Sequence, residues 1–281
     1  MSIRLGENYY GKQRVRIMQV TRGADRHDVK ELTVGVRLEG DFETAHTQGD
    51  NSKVLPTDTM KNTVYALAKL KRIESPEEFG LRLAEHFLVK NTQVSRARIE
   101  AAETLWTRFA ARKALHPHTF TRSGDEQHTA LVVATRKETV VQSGMRGLIA
   151  LKTTDSAFEG FLRDQFTTLK EDRNRILATV VRARWVYRTE KVDYESTWQG
   201  VRQTLLETFA GHDSKSLQQT LYAMGESVLE RFPAIRAIHL SLPNRHYNLV
   251  DLSPFKMDNP KEIFLPTDEP HGLIEATIRK D

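Results

Sequence analysis

Two segments far apart in the chain hold residues whose types and spacing suit chemistry: Pro56-Thr57-Asp58-Thr59-Met60-Lys61-Asn62-Thr63-Val64-Tyr65 and Ser241-Leu242-Pro243-Asn244-Arg245-His246-Tyr247. In the first, Thr57 and Asp58 stand at a predicted helix start, where the unpaired N–H groups of the first turn favour an anion. A threonine there acts as an N-cap, and the same hydroxyl remains available to a ligand. In the second, Asn244 and His246 are two residues apart, so on a strand both project from one face. Metal chemistry has no comparable support. None of the ten histidines lies in a His-Glu-x-x-His pattern, and the absence of cysteine excludes thiolate ligands, cysteine nucleophiles and disulfides together.

Such residues must be held by elements that the hydrophobic pattern predicts. Val15, Ile17 and Val20, then Leu32, Val34, Val36 and Leu38 across the turn-rich Gly23-Ala24-Asp25, spell an antiparallel hairpin. A helix is predicted from Thr57, and Ser75-Pro76-Glu77-Glu78 supplies a cap, a first-turn proline and a capping-box acid ahead of Phe79, Leu83 and Phe87. Strands follow at 94–99, 105–109 and 129–134. The second half repeats the order, with strands at 147–152 and 176–181, helices at 194–210 and 216–231, and strands at 237–240 and 274–278. Leu217, Leu221, Met224 and Val228 form an apolar stripe on the last helix. Two units of hairpin, helix pair and hairpin suggest an internal duplication, with domains at 1–137 and 138–281. Antiparallel sheets covered on one face leave open strand edges, which subunit assembly would close.

Composition narrows the function classes. The 281 residues are 39% hydrophobic, enough for a packed core, and no run approaches the ~18 apolar residues of a membrane span. Met1 to Gly11 does not read as a signal peptide, and Ile278-Arg279-Lys280-Asp281 is not the peroxisomal Ser-Lys-Leu address, so a cytoplasmic location is expected. The net charge of +5 comes from 42 basic and 37 acidic residues spread along the chain, without the concentrated basic element of a nucleic-acid binder.

Four further motifs join the first two. They are Tyr10-Gly11-Lys12-Gln13-Arg14-Val15-Arg16, the stretch Phe158-Glu159-Gly160-Phe161-Leu162-Arg163-Asp164-Gln165-Phe166-Thr167-Thr168-Leu169, Asp172-Arg173-Asn174-Arg175-Ile176-Leu177, and Ser216-Leu217-Gln218-Gln219-Thr220-Leu221-Tyr222. Together they resemble the urate oxidase (uricase) family over essentially the whole chain. That resemblance implies an α+β fold of tandem tunnelling-fold (T-fold) domains, with antiparallel sheets, helices on one face and barrels completed by subunit assembly. It also implies a homotetramer with sites between subunits. The implied reaction is cofactor-independent and metal-free: urate reacts with the co-substrate O2 and with water to give 5-hydroxyisourate and H2O2.

The same resemblance assigns roles. Lys12, Thr57 and His246 would form a proton relay, with Thr57 and Asp58 also binding substrate. Phe158 would stack on the purine, Arg175 would meet two acceptors on its edge, and Gln218 with the Leu217 backbone N–H would read the pyrimidine side. Asn244 would hold O2 or water. These types suit urate, a planar anion that needs an apolar platform, a guanidinium fork and an amide that both donates and accepts. Partners other than urate, O2 and further copies of the chain, such as nucleic acid or membrane, are not expected. The alternative is a non-catalytic T-fold relative that binds a purine or pterin.

Overall fold

The computed structural model describes residues 2–111, 114–122 and 124–281. In chain order the elements are β1 (Tyr10–Arg22), β2 (His27–Gly40), α1 (Glu43–Thr47), α2 (Thr57–Leu70), α3 (Pro76–Lys90), β3 (Val94–Thr104), β4 (Thr107–Ala111), β5 (Ala114–Thr121), β6 (Gln127–Thr135) and β7 (Thr139–Lys152). Then come β8 (Leu177–Tyr187), α4 (Tyr194–Gly211), α5 (Leu217–Arg231), β9 (Ile235–Leu249) and β10 (Phe264–Arg279). The architecture is α+β, as expected. Two compact units divide the chain: Met1–Met145 with Trp185–Trp198, and Arg146–Arg184 with Gln199–Asp281.

In the first unit β1, β2, β3 and β6 form an antiparallel sheet in that order. Leu32, Val34, Val36 and Leu38 alternate along β2 and are fully buried, which is why the hairpin register cannot slip by one residue without exposing that entire face. Helix α2 buries Met60, Val64 and Ala68, and α3 buries Phe79, Leu83 and Phe87, each at helical spacing. Helix α3 lies close on β3 and β6: a Cβ on Gly80 would stand 2.9 Å from a Val132 methyl, so a larger residue there would have to displace it. The cap read from Ser75 is present, its hydroxyl accepting the Glu78 N–H at 3.1 Å. The Glu78 carboxylate turns instead to Lys71 and Arg82, so the capping box is half formed.

In the second unit, α5 packs on β9 and β10. Leu217, Leu221, Met224 and Val228 are buried as their stripe predicts, and Ile238, Leu240 and Leu242 of β9 are fully buried. Two local expectations need correction. The strand expected at 105–109 begins at Thr107, and its partner β5 was not foreseen because Pro117 interrupts the pattern. Strands β9 and β10 run several residues beyond the expected 237–240 and 274–278, because cross-strand pairing continues through polar positions.

Candidate active site

The candidate residues fall into two sets, one in each unit. In the first, Lys12 lies on β1 opposite Val36, immediately before a bulge at which the register with β2 shifts. Arg14 within the bulge has φ 59°, a conformation costly for a side chain other than glycine and of the kind that re-aims neighbouring groups. Tyr10, just upstream, ties the loop ahead of α2 to β1: its hydroxyl accepts the Leu55 N–H at 2.8 Å and donates to the Leu55 carbonyl at 3.1 Å. Burial pushes the Tyr10 phenol above its usual range, so it stays a neutral clamp.

The helix start differs from expectation. Pro56 occupies the N-cap position and Thr57 is the first helical residue, so the Thr57 hydroxyl does not cap the helix. Proline fixes the entry backbone, and it leaves the threonine side chain free of a capping duty. Asp58 follows. Its carboxylate accepts from Lys61 and from Asn62, and the Lys61 hydrogen bond holds it below the usual carboxylate range, with Lys12 adding to the same effect. Lys61 and Asn62 therefore restrain Asp58.

In the second unit three segments are laced by backbone hydrogen bonds. Phe158 N–H donates to the Asp172 carbonyl at 2.7 Å, Arg175 N–H to the Ser156 carbonyl at 2.8 Å, and Ala157 N–H to the Ser214 carbonyl at 2.7 Å. This lacing brings Phe158, Arg175 and the start of α5 together. The guanidinium carbon of Arg175 lies 5.2 Å from the Phe158 ring centroid, and Phe161 stacks on the same ring at 5.0 Å. Burial pulls the Arg175 guanidinium below its usual range, opposed by the charge of Asp172. Arg175 Nε is buried with no hydrogen-bond partner, and so is Ser156 Oγ. Arg173 is exposed and already paired with Glu159 at 2.8 Å.

The α5 start separates its two glutamines. Ser216 Oγ accepts the Gln219 N–H, and Gln219 Oε1 accepts the Lys215 N–H at 3.0 Å, so Gln219 closes the cap while Gln218 is exposed. The Leu217 side chain is buried, which leaves its first-turn backbone as the part able to meet a ligand. Asn244 and His246 both lie on β9. They flank Arg245, whose Nε donates to Asp268 at 2.7 Å where β10 bulges away between Thr267 and Gly272. Thr179 Oγ1 donates to the Pro243 carbonyl at 2.9 Å, fixing that part of β9 to β8 just beyond Arg175.

Pattern reading missed a buried polar cluster in the first unit. Among the described residues one group has metal-ligand spacing, Glu103, His128 and Glu195. The Lys30 ammonium lies 3.0 Å from both Glu103 and Glu195, so a side-chain cation already stands between those carboxylates.

Comparisons with known proteins agree on the family. The family model described as Uricase matches residues 8–133 and 141–275. A uricase of Arthrobacter globiformis is 47% identical over 277 residues, 99% of this chain and 90% of that protein. A uricase of Dictyostelium discoideum is 40% identical, covering 98% of this chain and 96% of its own. The fold matches the crystal structure of the Arthrobacter globiformis uricase with a TM-score of 0.95, over 100% of this chain and 96% of that one.

Proposed function

This chain belongs to the uricase family, and on that premise we propose that it oxidises urate with O2 and water to 5-hydroxyisourate and H2O2. The observation that carries the reading to particular residues is Arg175, half-buried beside Phe158 with an unpaired Nε. A buried donor without an acceptor costs stability, and a planar anion lying beside Phe158 would supply the missing acceptor. Arg173, already paired with Glu159, offers no such vacancy.

In this reading the Leu217 N–H and Gln218 amide meet one edge of urate and the Arg175 fork another, with the ring on Phe158. Thr57 and the Asp58 N–H bind at the mouth of α2. Lys12, Thr57 and His246 pass protons, so that urate reacts in its more electron-rich ionised form. Two electrons leave urate for O2 held near Asn244, a peroxide adduct forms, and water replaces the peroxide at the ring. The balance is one urate, one O2 and one water to one 5-hydroxyisourate and one H2O2. No resident cofactor enters, because the substrate supplies both electrons. The protein contributes positioning and charge stabilisation.

The T-fold domains are proposed as 1–137 and 138–281, in a cytoplasmic homotetramer. Each unit ends in an edge strand, β1 or β10, and these carry exposed Met18, Leu265 and Leu273, surfaces suited to strand pairing between copies. We place the Lys12 and Thr57 set of one protomer against the Phe158 and Arg175 set of its partner. Light scattering would read the tetramer directly. The activity test is urate-dependent oxygen uptake by chelator-treated protein, with H2O2 assayed in the same vessel. Uptake with equimolar peroxide supports the reading, and no uptake despite bound urate would overturn it in favour of a purine-binding relative.

A further inference from the structure

The two halves of the chain repeat one plan. Helix α3 packs on β3 and β6 in the first, and α5 packs on β9 and β10 in the second. The strand orders β1-β2-β3-β6 and β7-β8-β9-β10 correspond element by element. Their helix starts correspond residue by residue as well. Ser75 and Ser216 are N-caps, each accepting the N–H three residues on, which pairs Pro76 with Leu217 and Glu77 with Gln218.

The surroundings of the paired residues differ. Gln218 is exposed, whereas Glu77 is 0% exposed and its Oε1 accepts from His128 Nε2 at 2.7 Å and from Ser143 Oγ. The donor to Glu77 is set by a chain, because Trp185 Nε1 donates to Tyr187 Oη and Tyr187 bonds Ser143. The His128 ring is 1% exposed and stacks on the Trp198 indole, with centroids 4.5 Å apart and planes 17° apart. Trp198 is itself held by its Nε1–H to the Gly144 carbonyl at 2.8 Å. Glu77 Oε2 is buried with no partner, so the carboxylate still has acceptor capacity to offer. A planar nitrogen heterocycle thus lies flat on an aromatic side chain, its N–H aimed at the second residue of a capped helix.

We infer that the first unit carries a second heterocycle-binding pocket, formed by Glu77, Ser143 and Trp198, with the His128 imidazole as its built-in occupant. Two replacements explain the ligand class. Pro76 has no N–H where Leu217 has one, and Glu77 Oε1 accepts from His128 and Ser143 where a glutamine amide both accepts and donates. The pocket therefore suits a small planar N–H donor of the imidazole class and lacks the backbone donor that Leu217 offers an anion such as urate. Its geometry stands by itself; its status as counterpart to the urate site rests on the role given to Gln218 above.

The full-length His128→Gly variant removes the occupant and leaves the pocket. Thermal melting is compared with the unmodified chain at about pH 8.5, with imidazole or 1-methylimidazole, whose neutral ring has no N–H. The variant is expected to melt on the order of 10 °C lower. Imidazole should raise its midpoint saturably, as a ligand that binds only the folded state does, while leaving the unmodified chain unmoved and exceeding 1-methylimidazole several-fold in effect. Equal responses of variant and unmodified chain, or equal effects of the two heterocycles, would overturn the pocket. If the variant does not accumulate folded, its refolding yield is titrated with imidazole instead: a rise with concentration supports the pocket and a flat yield overturns it. The urate KM of Gln218→Ala is measured beside it. Rescue with an unchanged KM would remove the Gln218 role and keep the pocket; a raised KM without rescue would do the reverse.

Discussion

The polar groups around Glu77 in the first unit and around Arg175 in the second are bonded in different ways. Around Glu77 in the first unit, donors converge from His128 and Ser143, and Tyr187 and Trp185 extend the chain behind them. Beside Phe158 in the second, Arg175 Nε and Ser156 Oγ are buried with nothing to bond. Buried polar groups that find partners inside the chain contribute to stability and a unique core, whereas groups left open await something from outside. The same helix plan therefore sets a carboxyl whose Oε1 is met by donors from within the chain, though its Oε2 stays unpartnered, against a guanidinium Nε beside Phe158 that meets no acceptor.

Substitutions can break that contrast. The largest effect is expected at the proposed proton relay: Lys12→Ala and Thr57→Ala should each lower kcat by about 10²–10⁴-fold, with urate binding changed far less. Unchanged turnover in both would sink the urate-oxidising assignment of these residues. Next, Glu77→Leu should destabilise the fold by roughly 3–5 kcal/mol, since it strands the His128 and Ser143 donors, and chemical denaturation would read the loss. Arg175→Ala tests the opposite case. Urate affinity should fall about 30-fold or more, while the melting temperature stays level because no internal hydrogen bond of Nε is lost. A marked fall in melting temperature with intact affinity would reverse the comparison. Phe158→Ala should cost about 1–3 kcal/mol of urate binding, read by titration. The smallest effect is shared by both units, because Ser75→Ala and Ser216→Ala each remove one N-cap and should lower stability by about 1 kcal/mol.

The elements were largely legible from residue order. Strict alternation in Leu32 to Leu38 and the stripe from Leu217 to Val228 are local patterns with one geometric solution each, and both are buried as that solution requires. The Ser75 and Ser216 caps were equally local. Less local features were not. The strand 114–121 contains Pro117, and the long ends of β9 and β10 are held by pairing across the sheet rather than by their own hydrophobicity. Thr57, expected at the N-cap, enters the helix instead because Pro56 has the fixed φ suited to the capping place.

The candidate residues divide along the same line. Their identities and the family were carried by short motifs, since residue type and spacing are properties of the chain alone. Which atoms are left wanting a partner was decided by tertiary structure. Nothing in Asp172-Arg173-Asn174-Arg175 states that Arg173 meets Glu159 while the Arg175 Nε is buried unpaired; that follows from the lacing of 155–158, 172–175 and 213–216. Likewise His128, Glu77, Ser143 and Trp198 are distant in sequence and share no motif, and only the packing of α3, α4, β6 and β7 brings them together. Hydrogen-bond satisfaction depends on three-dimensional neighbours, so it is the part of this protein that its residue order could not disclose.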